Sequence, residues 1–128
     1  MFHFFSGKSG YFFDFNKANP NSNSIQVLNE WIKQNPTAEV YKMEGYCDTV
    51  DSKMYNLKLA ERRIHTVETI LKLNKIKILE KLERIPFGEE FDFLLNQDEN
   101  RKVSIFYQIT SINSFSEKVK KMLKWVNF

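Results

Sequence analysis

The sequence predicts an α+β domain: a β-α-β-α-β-β sandwich with helices packed on one face of a mixed sheet, plus a C-terminal helix. Three observations predict it. Apolar patterns with strand and helix periods alternate along the chain, neither an internal repeat nor a linker interrupts them, and the 128 residues are 42% hydrophobic and 27% charged, as in one globular domain. The first two β-α-β connections favour parallel neighbouring strands with right-handed crossovers.

The first half of the chain carries two strand patterns with a helix between them. The aromatic-rich residues 11–16, YFFDFN, predict a strand that ends at an Asn/Pro/Ser cluster. Ser24 is placed to cap a helix that ends at Asn35 and Pro36. Residues 38–46 predict the second strand. The predicted apolar face of the helix comprises Ile25, Val27, Leu28, Trp31 and Ile32.

The second half begins with the longest helical pattern, over residues 53–73, for which Asp51 or Ser52 can act as N-cap. Residues 80–87 alternate poorly and predict only a weak strand, whereas residues 102–109 alternate well. The helical stripe comprises Leu57, Ala60, Ile64, Val67 and Leu71, and the last strand presents Val103, Ile105, Tyr107 and Ile109 on one face.

These patterns divide the chain into a lead-in over residues 1–10, a domain over 11–110 and a terminal helix over 111–128. Ser114 and Glu117 form a capping-box pattern at the start of that helix. The helix is basic and amphipathic, which suits packing on its own domain and also suits contact with a membrane surface or a partner.

Composition excludes several classes of function. The net charge of +3 comes without a dense Lys/Arg stripe carrying interleaved aromatics, so nucleic acid is not an expected partner. No apolar run of about 18 residues predicts a membrane span, and the start of the chain lacks the features of an export signal. One cysteine and four glycines provide neither a disulfide, nor a zinc site, nor a nucleotide-binding loop, so no cofactor is expected.

Catalytic and metal sites near Cys47 have little support. A thiol nucleophile needs a base, and His65 follows the apolar Ile64, so it points about 100° away from the core-facing stripe. Asp48 and Asp51 offer two carboxylates, but the remaining ligands of a calcium loop are missing. We therefore expect a protein that is not an enzyme, with Cys47 as a partly buried structural residue.

A pair of opposite charges flanks the second strand-to-helix junction. Asp48 follows the predicted second strand, and Arg63 lies about three turns into the following helix. Across a cleft, such a pair suits a zwitterionic ligand, because the guanidinium binds a carboxylate and the aspartate binds an ammonium. The alternative is an internal Asp48–Arg63 salt bridge that only stabilises the loop.

The stretch EGYCDTVDSKMYNLKLAERRIHTV at 44–67 resembles the signature of the OmpA-like peptidoglycan-binding domain. Residues 100–103, NRKV, resemble the Asn-Arg-Arg-Val of that family, and FDFN and FGE resemble its first strand and the Gly-Glu after its third. The similarity covers about residues 11–110. The residues that match the central motif in register are Gly45, Asp48, Asn56, Leu59, Arg63 and Val67.

The resemblance implies a non-covalent ligand site for the diaminopimelate of the peptidoglycan stem peptide. By position, Asp48 holds its ammonium, Arg63 holds its carboxylate, and Asn56 and Arg101 shape the pocket. Cys47 and Thr49 are secondary candidates. The implied protein lies on the periplasmic side of a bacterial envelope and is associated with the outer membrane. It anchors an envelope protein to the wall, and only an anchor outside this sequence attaches it to a membrane. The alternative is the same fold as a structural or protein–protein module that does not bind peptidoglycan.

Several motif positions depart from the family. Tyr46 stands where the family has His, Cys47 where it has Thr, Asp51 where it has Gly, and Lys102 where it has the second Arg; Ala60 and Ile64 also differ. Lys102 keeps the positive charge but loses the planar fork that binds a carboxylate through two hydrogen bonds. Because Asp48 and Arg63 remain, binding is expected to persist.

Overall fold

Six elements form the domain in the computed structural model, which describes residues 4–47, 52–87 and 101–110. They are β1 (Phe4–Phe12), α1 (Ser22–Gln34), β2 (Glu39–Tyr46), α2 (Lys53–Leu73), β3 (Lys77–Phe87) and β4 (Lys102–Thr110). The predicted α+β class and the predicted order of these elements are confirmed. Residues 88–100 and the expected helix over 111–128 lie outside the described residues.

The four strands form one mixed sheet in the order β1-β4-β2-β3. β4 is antiparallel to β1 and β2, whereas β2 and β3 are parallel. The prediction that β2 and β3 are parallel neighbours is therefore confirmed. The prediction that β1 and β2 are neighbours is wrong because β4 lies between them. In the central position, β4 has its backbone hydrogen-bonding groups paired on both sides, while its alternating apolar side chains point to the face on which α2 packs. Val103 and Ile105 are fully buried there.

This topology brings four chain segments to one edge of the sheet. Phe12 pairs with Lys102, and Tyr46 pairs with Phe87. The ends of β1, β2 and β3 and the start of β4 therefore lie side by side. We call this the upper edge of the sheet.

The first strand is displaced from its predicted position. It begins at Phe4 and ends at Phe12, so residues 4–10 of the predicted lead-in belong to the sheet. Ser6, Gly7, Ser9 and Gly10 have weak intrinsic strand preference, and pairing with β4 overrides it. Residues 13–16 leave the strand, and Asn16 adopts a left-handed backbone with φ of 57° that a strand does not accommodate.

Helix α1 begins one turn before the predicted cap. Asn21 is the N-cap, and its side-chain oxygen accepts a hydrogen bond from the Ser24 N–H at 2.8 Å. Leu28 and Trp31 face the core as predicted, but Ile25 and Val27 are 39% and 48% exposed. The stripe that faces the core follows the spacing i, i+4, i+7 and is narrower than the predicted face.

Helix α2 has the predicted bounds, and the Ser52 hydroxyl caps it by accepting from the Tyr55 N–H at 3.2 Å. Leu57, which was predicted on the core-facing stripe, is only half-buried. The buried stripe instead includes two charged side chains, Arg63 and Glu68. None of the helices in the described ranges is long and apolar enough to cross a membrane.

Close packing between α2 and β2 depends on Gly45. A Cβ atom at this position would lie 2.7 Å from both the Ala60 carbonyl oxygen and Ile64 Cγ1. Since a backbone atom cannot move aside as a flexible side chain can, only glycine fits without displacing the helix. The glycine of the motif therefore sets the distance between α2 and the sheet.

Candidate ligand-binding site

The candidate site lies at the upper edge, where four parts of the chain converge. They are the segment 13–17 after β1, the end of β2, the first turns of α2, and Arg101 at the start of β4. The segment that contains Asp48 and Thr49 follows Cys47 directly in the sequence, so it begins at this edge. Asp48 and Thr49 themselves lie outside the described residues.

Arg63 joins two of these parts from the interior. Its side chain is 0% exposed. Nε donates to the Lys17 carbonyl at 2.9 Å, one terminal nitrogen donates to the Tyr46 carbonyl at 3.0 Å, and the other donates to the Asp14 carbonyl at 3.2 Å. The guanidinium carbon also lies 5.1 Å from the centre of the Phe13 ring. These three contacts with main-chain carbonyls fix the orientation of the guanidinium.

The segment 13–17, which supplies two of those carbonyls, is held by further contacts. The Phe13 N–H donates to the Arg101 carbonyl at 2.8 Å, and Arg101 Nε donates to the Phe13 carbonyl at 3.3 Å. The Tyr55 hydroxyl donates to the Asn16 side-chain oxygen. Sequence reasoning missed this segment by assigning it to a strand, although an asparagine before an Asn/Pro cluster favours a left-handed turn.

Two other predicted residues lie close by. Asn56 is fully buried in the first turn of α2, where its N–H donates to the Ser52 carbonyl at 2.9 Å. Cys47 is buried in a small cluster with Leu59 and Ala60. The structure thus brings Cys47, Asn56, Arg63 and Arg101 to the upper edge. The predicted approach of Asp48 to Arg63 stays a prediction.

An aromatic pair stands at the same edge. The Tyr46 ring stacks on the Phe87 ring at 5.0 Å, with 25° between their planes, and Lys102 Nζ lies 5.4 Å from the centre of the Tyr46 ring. The Tyr46 hydroxyl donates to Glu44 at 3.3 Å. Burial, together with the negative charge of Glu44 nearby, raises the pKa of Tyr46 to about 12. Tyr46 therefore remains a neutral hydroxyl where the family has an ionisable histidine.

Comparison with known proteins assigns the family. No protein-family model matches the chain. A protein named peptidoglycan-associated lipoprotein, from Legionella pneumophila, is 30% identical over 92 residues, which cover 68% of this chain and 51% of that protein. The crystal structure of the peptidoglycan-associated lipoprotein from Burkholderia pseudomallei has a TM-score of 0.59 at 20% identity, covering 77% of this chain and 88% of that one. The OmpA-like domain of FopA1 from Francisella tularensis also has a TM-score of 0.59, at 19% identity, covering 83% of this chain and 74% of that domain. The chain belongs to the OmpA-like domain family.

Family membership and the OmpA-like fold, both expected from the stretch 44–67, are thereby confirmed. The chain spans about half the length of the Legionella relative. The two solved structures are less than 25% identical to it, so they support the fold of this OmpA-like domain and leave its ligand to be argued from its own residues.

A second group of charges in the OmpA-like domain lies further along α2. Both oxygens of the buried Glu68 accept from Arg84, at 2.7 and 2.9 Å, and Lys72 Nζ lies 2.9 Å from one of them. Hydrogen bonds from Arg84, with those of Lys72, lower the pKa of Glu68 to about 2. These residues border an open cleft of about 290 Å³ lined by Glu61, Ile64, His65, Glu68, Arg84 and Pro86.

The buried carboxylate of this second cleft is engaged in ion pairs. Both oxygens of Glu68 already accept from cationic side chains. Within the described ranges, no group of three His, Cys, Asp or Glu side chains is placed to hold a metal ion. The exposed His65 borders this cleft, whereas Cys47 is buried among Leu59 and Ala60. The contacts of Glu68 tie α2 to β3.

Proposed function

We propose that this OmpA-like domain binds cell-wall peptidoglycan non-covalently at the upper edge of the sheet and catalyses no reaction. The observation that carries the proposal is the Arg63 guanidinium, which three neutral main-chain carbonyls hold in a fixed orientation at this edge. A preoriented cation suits a carboxylate ligand, since little side-chain entropy is lost on binding. The names of the Legionella and Burkholderia relatives supply the ligand class.

Within peptidoglycan, we propose the diaminopimelate of the stem peptide as the recognised group. Its free end is a zwitterion, and the site combines the two complementary charges. Asp48 receives the ammonium and Arg63 the carboxylate, while Asn56 and Arg101 hold the surrounding walls. The N-terminus of α2 at Ser52 adds backbone N–H groups and a partial positive charge, both of which favour an anion.

A purely binding role agrees with the chemistry near Cys47. The thiol is 1% exposed and packs with Leu59 and Ala60, so little of it is accessible to a substrate. We place the domain on the periplasmic side of the envelope, where it holds an envelope protein to the wall. One such site binds weakly by itself, and a tether to an anchor outside this sequence raises its effective affinity.

The complete burial of Arg63 favours a second candidate function. A guanidinium that serves only to join the segment 13–17 to β2 has the same three contacts. In that case the OmpA-like fold acts as a structural or protein–protein module without peptidoglycan binding. The two functions differ in whether the cleft accepts a stem peptide.

Calorimetric titration with a free diaminopimelate-containing stem peptide separates them. We expect binding by the wild-type domain, and a loss of roughly 30-fold or more in Asp48→Asn, because the ammonium loses its charged partner. Asp51→Asn, three positions along in the same segment, is the matched control and should bind like the wild type. Absence of binding at millimolar peptide contradicts the proposal and supports the interaction module.

A further inference from the structure

The face of the sheet opposite the helices carries an aromatic ring between two ammonium groups. Phe106 on β4 is half-buried, Lys42 Nζ on β2 lies 4.2 Å from the centre of its ring, and Lys8 Nζ on β1 lies 5.4 Å from it. The Tyr41 ring lies 6.4 Å from the Phe106 ring at a tilt of 49°. We call these four residues, Lys8, Tyr41, Lys42 and Phe106, the Phe106 platform.

A β-bulge in β2 builds this platform. The pairing of β2 with β4 shifts between Val40 and Lys42, so Tyr41 is an extra residue in the ladder. Val40 and Met43 are both fully buried in the core, whereas strict alternation puts them on opposite faces. The bulge therefore places both Tyr41 and Lys42 outside the core, where both contact Phe106.

The platform is positively charged. In the part of the chain that the structure describes, neither Lys8 nor Lys42 lies within 4 Å of a carboxylate oxygen. Glu83 stands opposite Lys42 on β3 but is not within that distance. The two ammonium groups contact the ring and solvent, so they remain available to an anionic partner.

The platform continues toward the upper edge. On β4, Phe106 and Lys102 point to the same face and lie roughly 13 Å apart along the strand. Lys102 contacts the Tyr46 ring, which stacks on Phe87. A row of aromatic rings and lysines therefore runs from the middle of the sheet toward the proposed stem-peptide cleft, with Glu44 on β2 and the buried Ser104 on β4 between its two ends.

We propose that the Phe106 platform binds the glycan strand of peptidoglycan at sugars that carry no stem peptide, beside the sugar whose stem peptide lies in the cleft; this inference rests on the proposed function. The apolar C–H face of a pyranose ring packs on an aromatic face, and the Tyr41 hydroxyl can hydrogen-bond to sugar oxygens. Ammonium groups attract the lactyl carboxylates of sugars that carry no stem peptide. A ring flanked by two cations matches a sugar polymer with carboxylates better than it matches an uncharged apolar partner.

The test uses glycan strands freed of peptides by amidase digestion, which leaves one carboxylate on each lactyl sugar. The wild-type domain should bind them, and more weakly at higher salt. The double variant Lys8→Glu/Lys42→Glu should bind at least tenfold more weakly, and Phe106→Leu, which keeps the charges and much of the apolar volume, should also lose affinity. The control Lys33→Glu/Lys58→Glu makes the same charge change at exposed helix positions and should change affinity less than twofold.

The free stem peptide distinguishes this inference from the proposed function. The platform variants should bind that peptide as the wild type does, because they leave the cleft intact. Equal glycan binding by wild type, platform variants and control overturns the platform, even when the stem peptide binds. Binding of wild type to vesicles of acidic phospholipid but not to glycan strands, with loss in Lys8→Glu/Lys42→Glu, also overturns it and assigns the platform to a lipid surface. Failure of the stem peptide alone overturns the cleft instead.

Discussion

Helix α2 buries two side chains of opposite charge, Arg63 and Glu68, just over one turn apart, and the two have different kinds of hydrogen-bond partner. Glu68 faces two cationic side chains, Arg84 and Lys72, which lower its pKa to about 2. Arg63 donates instead to the main-chain carbonyls of Asp14, Lys17 and Tyr46. The first arrangement cancels charge with charge. The second includes three contacts between a buried charge and uncharged main-chain dipoles.

The difference separates a structural contact from a candidate ligand contact. Glu68 and Arg84 complete each other's hydrogen bonds in a bidentate pair, and their joint effect is to attach α2 to β3. The contacts of Arg63 fix its direction at the upper edge, where the proposed ligand binds. Variants at Arg63 and Gly45 test the contacts at the upper edge, and variants at Glu68 test the ion pair.

The largest effect is expected at Arg63. Arg63→Ala removes three hydrogen bonds of a buried charged donor, two of which hold the segment 13–17, so the free energy of unfolding should fall by about 4 kcal/mol. Arg62→Ala, at the exposed neighbouring position, should change it by less than about 0.5 kcal/mol. Urea unfolding of both variants measures the difference. Equal stabilities contradict the anchoring role.

Gly45 tests how closely the Arg63 end of α2 must approach the sheet. Gly45→Ala should destabilise the fold by roughly 2 kcal/mol, since its Cβ meets the Ala60 carbonyl oxygen at 2.7 Å. Gly10→Ala is the matched control, because the nearest atom to its Cβ is Ser104 Oγ at 3.9 Å. Gly10→Ala should therefore be tolerated. Similar unfolding midpoints for the two variants show that the helix can move aside without cost.

The lowered pKa of Glu68 predicts that the free energy of unfolding depends on pH. The folded-state pKa of Glu68 is lowered to about 2 from its ordinary value of 4.5. The unfolded state therefore binds the proton more readily, and the stabilisation is present above pH 4.5 and lost as pH falls toward 2. Because Arg84 and Lys72 are about half exposed, solvent screening reduces it to roughly 1–2 kcal/mol.

Unfolding at pH 6 and pH 3 measures this contribution. Glu68→Gln should be less stable than wild type at pH 6, and the difference should shrink at pH 3. Glu61→Gln, at an exposed position on the same helix, should follow the wild-type profile. A constant difference between Glu68→Gln and wild type at both pH values rules out charge pairing as the source.

The smallest effects on stability are expected at two buried serines. They test whether a buried neutral hydroxyl stabilises the fold only when it has a hydrogen-bond partner. Ser24 Oγ accepts from the Phe12 N–H at 2.8 Å, whereas Ser104 Oγ is buried without a hydrogen-bond partner in the described residues. Ser24→Ala should cost about 1 kcal/mol, and Ser104→Ala should be neutral or slightly stabilising. Thermal unfolding ranks the two variants; the reverse order contradicts this interpretation.

The sequence predicted what depends on local pattern. Periodicity over residues 53–73 and a serine cap located α2, and alternation located β4. The resemblance of the stretch 44–67 to the OmpA-like motif selected Arg63 as a ligand residue, and that role stays a prediction. Non-local contacts decided the rest: β1 forms because residues 4–10 pair with β4, and the carbonyls that Arg63 contacts on the segment 13–17 lie 46 and 49 positions away in sequence. Neither contact leaves a periodic signal in the chain.

The proposed contact between Arg63 and the diaminopimelate carboxylate is tested most directly with two stem peptides on the wild-type domain. One peptide carries diaminopimelate and the other carries lysine in its place. Lysine keeps the ammonium and lacks only the carboxylate assigned to Arg63, so the test does not disturb the fold. Calorimetry should show at least tenfold tighter binding of the diaminopimelate peptide, because only this peptide supplies the carboxylate that Arg63 is proposed to bind. Equal affinity for both peptides would show that Arg63 only supports the fold and that the carboxylate is not recognised.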